Sequence, residues 1–281
     1  MNHADEIVAR VEHIPPFPKV AQRVMEMIDQ PGVKAKELAE VIMFDQAITA
    51  NILKICNAGY FGLPRRVSSL DEALVLMGQD ALKDVIIASS TARYYSGTVG
   101  AGYDLGQGEL WKHSVATGIL ARHLAGKVSG LKTSVAFTAG LLHDIGKLVA
   151  SSYVGDYLNE IMELVQSSGR TFVEAEVECL GISHAELGAM ILEKWDFSPE
   201  LVEAVRRHHD PSALEGSPLL LVVTLANSLV ISAGIGGGAE GLATAIRGEV
   251  LTRFGFDEGT LDRCMLQVVT EMETAKDILA L

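Results

Sequence analysis

The sequence predicts an all-α protein. Apolar residues recur at spacings of three and four along most of the chain, for example at Val20, Val24 and Ile28, and this spacing places them on one face of a helix. Runs that alternate apolar and polar residues, which are typical of half-buried strands, are nearly absent. Helix start signals also occur, and they locate individual elements.

Two of these start signals are well defined. Ser183 is followed three residues later by Glu186, which is the spacing of a capping box. Ser198 precedes Pro199, and a proline in the first helical turn after a serine cap is favourable. We therefore expect helices to begin directly after Ser183 and directly after Ser198.

The chain divides by composition into three parts. Residues 1–95 contain short amphipathic helices separated by the breaks PPFP, DQPG and FGLP, and we assign them to an N-terminal helical lobe. Residues 96–108, SGTVGAGYDLGQG, carry no helix signal and are predicted to form a glycine-rich linker. Residues 109–281 form a second helical domain, which ends in predicted helices at 242–250 and 261–279.

Composition excludes several classes of protein. With 281 residues, 48% of them hydrophobic, the chain can build its core without disulfides. The net charge of −13 opposes a general attraction to nucleic acid or to anionic lipid. The three cysteines have no CxxC spacing, which predicts buried thiols in a reducing compartment, the cytoplasm. The charged first residues, MNHADEIVAR, are unlike a signal peptide.

One long uncharged segment could be mistaken for a membrane-spanning helix. Residues 216–239 contain no charged residue and are long enough to cross a bilayer. Asn227, four serine or threonine residues and the GIGGG run would face lipid poorly. We expect a buried helix here, followed by a flexible glycine loop, and no membrane partner.

The most informative stretch is HDIGK at residues 143–147, within the run GLLHDIGKL. It is predicted to place the imidazole of His143 and the carboxylate of Asp144 side by side on an apolar helix. A buried carboxylate requires a metal ion, a strong hydrogen-bond partner or the ammonium of Lys147, because an uncompensated charge in a dry site is costly. Gly140, one turn earlier, is expected to let a neighbouring element approach closely.

Further metal-ligand types occur at helical positions. Glu109 precedes His113 by four residues, so the two side chains share one helix face. His184 begins the helix that Ser183 caps. His208 and His209 close the predicted helix 199–209, where the negative end of the helix dipole favours a cation.

Taken singly, these residues have ordinary structural explanations. His113 fits an interior histidine, the pair His208 and His209 a solvated helix end, Glu186 a cap and Lys147 a surface charge. His3, His13 and His123 are predicted at the surface. Taken together, seven nitrogen and oxygen donors exceed what one tetrahedral zinc ion takes, and they favour a two-metal site that binds phosphate and activates water. The seven are Glu109, His113, His143, Asp144, His184, His208 and His209.

The order of these residues resembles the HD superfamily of metal-dependent phosphohydrolases, and the paired histidines are similar to its HD-GYP branch. A narrower resemblance rests on four blocks in order, which are similar to the HDOD domain, a helical module of bacterial signalling proteins. This resemblance covers about residues 12–232 and implies an N-terminal helical lobe packed on an HD-type bundle. The blocks are IPPFPKVAQRVMEMI, ELAEVIMFDQAITANILKICNAGYFG, VSSLDEALVLMGQDALKDVII and SHAELGAMILEKW.

Two positions depart from the wider pattern. The HD pattern closes with an aspartate that binds metal, and Asn227, a neutral and weaker oxygen donor, stands at the matching place. After the histidine pair the chain reads DPSALEGSP, where the HD-GYP branch has a glycine-tyrosine-proline loop. This departure argues against cleavage of cyclic di-GMP.

The resemblance implies a bacterial signal-transduction protein with a centre of two divalent ions, iron favoured over manganese, nickel or zinc. Its activity would be hydrolysis of a phosphoester or nucleotide, with Asp144 bridging the ions and Lys147 contacting the phosphate. A signalling partner would be a separate chain, and no nucleic acid is expected. Two alternatives stay open: a regulatory scaffold that keeps the metal without catalysis, and a structural scaffold in which the histidines are core residues.

Overall fold

The computed structural model describes residues 3–28, 30–57, 67–95, 101–210, 217–239 and 257–274. Within these ranges every regular element is helical and no strand occurs, which confirms the predicted all-α class. The predicted helix at 242–250, the last residues of the one predicted at 261–279 and the first five residues of the glycine-rich segment lie outside the described residues.

The helices are numbered in chain order. They are α1 (His3–Val11), α2 (Lys19–Ile28), α3 (Ala35–Ile42), α4 (Gln46–Asn57), α5 (Leu70–Thr91), α6 (Glu109–Ala125), α7 (Thr133–Leu142), α8 (Lys147–Ser168), α9 (Phe172–Leu180), α10 (His184–Lys194), α11 (Pro199–Arg207), α12 (Pro218–Ser232) and α13 (Glu258–Thr274). Short 3-10 turns occupy Ala92–Tyr95 and Ala101–Tyr103.

The chain forms two compact units. The first comprises residues 1–15 and 95–266, and the second comprises residues 16–94 and 267–281. Residues 1–15 therefore group with the histidine-bearing part of the chain and not with the rest of the predicted N-terminal lobe. Hydrogen bonds explain this grouping, because Lys194 Nζ donates to three carbonyls of residues 11–14 and Trp195 Nε1 donates to Pro15 O.

In the described residues, the second unit consists of α2 to α5 and the part of α13 from residue 267 onwards. Its core contains fully buried aliphatic side chains from α2 to α5, among them Val24, Ile42, Ile52 and Ile86. These residues lie at the apolar positions of the helical repeat, so the periodicity that predicts the helices also predicts the core of this unit. Gly78, with φ of +77°, interrupts α5 with a kink.

The first unit packs α6 against α7 at a glycine contact. A Cβ atom at Gly140 would lie 2.8 Å from Thr117 O, so the expectation that Gly140 lets a neighbour approach closely is confirmed. Helix α12 packs against α6 and α7 with most of its apolar side chains buried, as predicted for a buried helix. Among the described residues, no helix is both long and apolar enough to cross a membrane.

The helix ends partly match their start signals. Ser198 precedes α11, with Pro199 in its first turn, as predicted. Ser183 Oγ accepts a hydrogen bond from Glu186 N at 3.1 Å, but the Glu186 carboxylate binds Arg206 Nε at 3.0 Å, so only half of the predicted capping box forms.

Two helices end before the predicted ligands. Helix α7 ends at Leu142, so His143 and Asp144 lie in a tight turn before α8 and not on a helix as predicted. Helix α11 ends at Arg207, so His208 and His209 follow it. A chain past a helix end can turn its side chains towards a neighbouring helix.

Candidate metal centre

Helix ends of the first unit bring the predicted histidines together. His113 lies in α6, His184 is the first residue of α10, and the other donors lie in the turns after α7 and α11. Gly146 makes this meeting possible, because a Cβ atom there would lie 1.9 Å from His184 O. The main chain beside Asp144 therefore touches the first turn of α10.

Asp144 lies between two pairs of histidines and is completely buried. Its Oδ2 is 3.2 Å from His143 Nε2 and 3.5 Å from His113 Nε2. Its Oδ1 is 3.5 Å from His184 Nε2 and 3.7 Å from His208 Nε2. Each oxygen of one carboxylate thus faces its own pair of imidazoles.

The donors form two groups that share Asp144. The first group contains His113, His143 and Asp144, and the second adds His184, His208 and His209 to the same aspartate. Within each group the ligand atoms lie within 4.8 Å of one another. His113 Nε2 and His143 Nε2 are 3.3 Å apart, and His184 Nε2 and His209 Nε2 are 3.1 Å apart.

Hydrogen bonds on the far side of the rings fix which nitrogen points inwards. In four histidines Nδ1 faces an oxygen acceptor, so in the neutral ring Nδ1 carries the proton and Nε2 keeps its lone pair for a metal. The pairs are His113 with Ile235 O at 2.9 Å, His143 with Gly140 O at 2.7 Å, His184 with Glu176 Oε2 at 2.8 Å, and His208 with Val205 O at 2.6 Å.

Burial keeps the site in the protonation state that metal binding requires. It lowers the pKa of His113 to about 4, and burial together with His209 lowers the pKa of His208 well below its usual range. Burial alone would raise the pKa of Asp144, but His143 and Lys147 outweigh it, so the pKa of that carboxyl lies well below its usual range. The site therefore combines neutral imidazoles at His113 and His208 with an ionised carboxylate at Asp144 near neutral pH.

These donors leave bonding capacity that a cation would satisfy. Asp144 Oδ1 and His208 Nε2 have no hydrogen-bond partner in the described part of the chain, although both are buried. The Nε2 atoms within each group face each other at 3.3 Å and 3.1 Å, close to the roughly 3.4 Å between two nitrogen ligands of one tetrahedral ion. The residues present therefore fit divalent metal ions.

Lys147 also lies inside the site. The residue is 3% exposed, which excludes the surface-charge explanation, and Nζ is 2.7 Å from Asp144 Oδ2. Nζ also lies 5.1 Å from the centre of the Tyr103 ring.

The structure does not bring Glu109 to this cluster. Its side chain is exposed at the first turn of α6, where Oε2 accepts a hydrogen bond from Gly106 N at 2.7 Å, and it belongs to neither donor group. Four-residue spacing places Glu109 on the face of His113, but a first-turn carboxylate is drawn back towards free backbone N–H groups. Asn227 is buried in α12, and its Oδ1 has no hydrogen-bond partner among the described residues.

Two buried residues that support the cluster escaped the sequence analysis. Glu176 on α9 holds His184, and Tyr103 donates a hydrogen bond to Glu176 Oε1. The available signal was an acidic residue at a buried position of an amphipathic helix, between Phe172 and Leu180. Burial also tests the ordinary explanations of the histidines. His208 is buried, which differs from the solvated helix end considered for it. His3 and His13 are exposed and His123 is partly exposed.

The HDOD domain family matches residues 14–211 of this chain. Among curated proteins, an uncharacterized protein of Treponema pallidum is 26% identical over 231 residues, which cover 81% of this chain and 44% of that protein. This chain thus spans less than half of that relative. Ribonuclease Y of Opitutus terrae is 35% identical over 98 residues, which cover 35% of this chain and 13% of the enzyme.

Among solved structures, a Shewanella amazonensis protein provisionally named a phosphohydrolase shares the fold. The TM-score is 0.72 at 22% sequence identity, and the alignment covers 98% of this chain and 99% of that one. At this identity the likeness concerns the fold alone. Together with the family match, it confirms the resemblance drawn from the four sequence blocks.

Proposed function

Because this chain belongs to the HDOD family, we propose that it is a signal-transduction protein whose histidine cluster holds two divalent ions and hydrolyses a phosphoester. One observation carries the proposal: the two oxygens of Asp144 face two separate groups of imidazoles. A carboxylate placed in this way suits a bridge between two ions better than a ligand of one.

We propose which donors would hold each ion. Asp144 Oδ2 would join His113 and His143 on the first, and Asp144 Oδ1 would join His184, His208 and His209 on the second. Imidazole with carboxylate suits iron, zinc, nickel or manganese, and we favour iron. Bound divalent ions acidify a coordinated water and offset the charge of a phosphate.

The chain's own residues have separate tasks. Asp144 stays ionised because His143 and Lys147 stabilise its charge. Lys147, whose ammonium already lies beside Asp144 Oδ2, is placed to exchange that contact for a phosphate oxygen. His209 is partly exposed whereas the other donors are buried, so we propose that substrate approaches from the side of His209.

The substrate class follows from chemistry and charge. The names of the Shewanella protein and of Ribonuclease Y point to the hydrolysis of phosphate bonds. The net charge of −13 opposes binding to a long polyanion, so we propose a small phosphoester or a nucleotide. The described cysteines are free thiols, and we propose a bacterial cytoplasmic protein whose signalling partner is a separate chain.

A second candidate is a regulatory scaffold that binds metal without catalysis. The enclosure of the cluster favours it, because His113, His143, Asp144 and His184 are at most 1% exposed and leave little room for a substrate at the first ion. Asn227, in place of a carboxylate, also lowers the charge available to hold the ions.

Metal analysis followed by a turnover assay separates these functions. The protein is purified anaerobically with iron supplied, its metal content is measured, and single-turnover hydrolysis is tested against phosphoesters and cyclic nucleotides. About two ions with hydrolysis that Lys147→Met abolishes would support the enzyme. Two ions without turnover would support the regulatory scaffold. Absence of metal would show that the histidines are structural core residues.

A further inference from the structure

We propose that Tyr103 and Glu176 are positioning residues for His184, and that through this histidine they set the affinity of the second ion. This inference rests on the proposed two-ion centre. It concerns a three-residue relay that runs from the turn Ala101–Tyr103 through α9 to the first residue of α10.

Hydrogen bonds connect each pair of neighbours in the relay. Glu176 is completely buried, and its Oε2 accepts hydrogen bonds from His184 N at 2.9 Å and from His184 Nδ1 at 2.8 Å. Its Oε1 accepts the hydroxyl hydrogen of Tyr103, which is 1% exposed. Both carboxylate oxygens are therefore directed by named donors, and the ring of His184 is held at its main chain and at its side chain.

His184 differs from the other buried ligands in the nature of its acceptor. His113, His143 and His208 donate Nδ1–H to backbone carbonyls, whereas His184 donates to a carboxylate on another helix. A carboxylate behind a ligating imidazole fixes its tautomer and raises the basicity of the nitrogen that faces the metal. Affinity at the second ion thus depends on residues outside the ligand set.

Tyr103 is itself held by close backbone contacts. Gly102 N donates to Ser151 Oγ at 3.0 Å, and a Cβ atom at Gly102 would lie 1.7 Å from Ser151 O. A Cβ atom at Gly238 would lie 2.3 Å from Tyr103 O, so a second glycine segment packs on the same residue. Only glycine permits approaches this close, and these glycines therefore support the site where composition predicts a linker and a flexible loop.

The Tyr103 ring also lies near the ammonium of Lys147. Its centre lies 5.1 Å from Lys147 Nζ and 5.9 Å from the His184 ring centre. A substitution that keeps the ring and removes only the hydroxyl therefore isolates the relay from the contact with Lys147. Tyr103→Phe makes this change, and Glu176→Gln removes the charge with little change of shape.

The test measures Co²⁺ binding by chelator competition and records the Co²⁺ absorption spectrum of the full chain. We expect both variants to bind the second ion about 10- to 100-fold more weakly than the wild type, with an altered spectrum and the first ion retained. Tyr153→Phe is the matched control, because Tyr153 donates to Glu6 Oε1 at 3.3 Å in an exposed tyrosine–glutamate pair. It should bind both ions as the wild type does.

A coupling measurement distinguishes positioning from a general loss of stability. In a His184→Ala background, Tyr103→Phe should cause no further loss of Co²⁺ affinity, because the relay then has no ligand to position. A further loss in that background, or a wild-type spectrum and affinity in both single variants, would overturn the inference and leave the two-ion centre standing. A wild-type protein that binds no Co²⁺ would overturn both.

Discussion

Lys147 Nζ lies 2.7 Å from Asp144 Oδ2, and both side chains are buried among the histidines. A buried pair of this kind offsets its desolvation only while both partners are present, and the loss of one costs about 3–5 kcal/mol. The pair therefore holds the site together without metal, whereas the orphaned Oδ1 of Asp144 is left for an ion. Stability and metal binding converge on the same carboxylate.

Asp144→Ala should release most of the bound metal and lower stability. Both ions lose the ligand that they share, and the buried ammonium of Lys147 loses its contact with this carboxylate, which should cost about 3–5 kcal/mol. Elemental analysis and urea unfolding measure the two effects. Asp156→Ala, an exposed position in α8, serves as the control. An Asp144 variant that keeps both ions would contradict the bridging role.

The metal-free protein should lose stability as the pH falls from 6.5 towards 4. Burial lowers the pKa of His113 from 6.5 to about 4, so in this interval the unfolded chain binds more protons than the folded one. Above pH 6.5 His113 is neutral in both states and does not reduce the free energy of unfolding. The reduction grows as the pH falls towards 4, and each unit of pKa difference is worth about 1.4 kcal/mol. His208 acts in the same direction.

Urea unfolding in the presence of a chelator, at pH 7.5, 5.5 and 4.5, measures this dependence. His113→Gln should reduce the slope, because the variant has no imidazole to protonate at that position, and only the contribution of His208 should remain. His123→Gln, outside the cluster, should keep the full slope. Equal slopes in all three proteins would show that His113 is not the responsible group.

The order of the histidines predicted most of the cluster, because ligand types at helix ends are local features of a sequence. Local spacing did not predict that Glu109 turns back to Gly106, since capping competes with the shared helix face. Nor did it predict that Glu176 supports His184, because the faces on which α9 and α10 meet depend on packing. Composition suggested a linker around Gly102, although close backbone contact is the physical reason for that glycine.

Gly146→Ala should disrupt both the fold and the metal centre. The added Cβ would lie 1.9 Å from His184 O and 2.5 Å from Gly188 N, so α8 and α10 would have to separate beside the donors. Overpacking of a backbone contact costs about 1–3 kcal/mol or more. Gly155→Ala, within α8 with only one ordinary contact, should be neutral or stabilise by up to about 1 kcal/mol. Thermal unfolding of both variants gives the comparison, and equal melting temperatures would contradict it.

Asn227→Asp should raise metal occupancy. Asn227 is 2% exposed, its Oδ1 has no hydrogen-bond partner among the described residues, and the family resemblance places an aspartate ligand at this position. A carboxylate beside the ions would hold them more tightly, by about 10–100-fold if it completes the ligand set, whereas a carboxylate in a dry core without metal would destabilise the fold. Metal content and melting temperature measured on the same samples decide between these outcomes, with Asn227→Leu as the uncharged control. Unchanged metal with a large fall in melting temperature would show that Asn227 faces the core, because the new charge would then be buried without a cation to balance it.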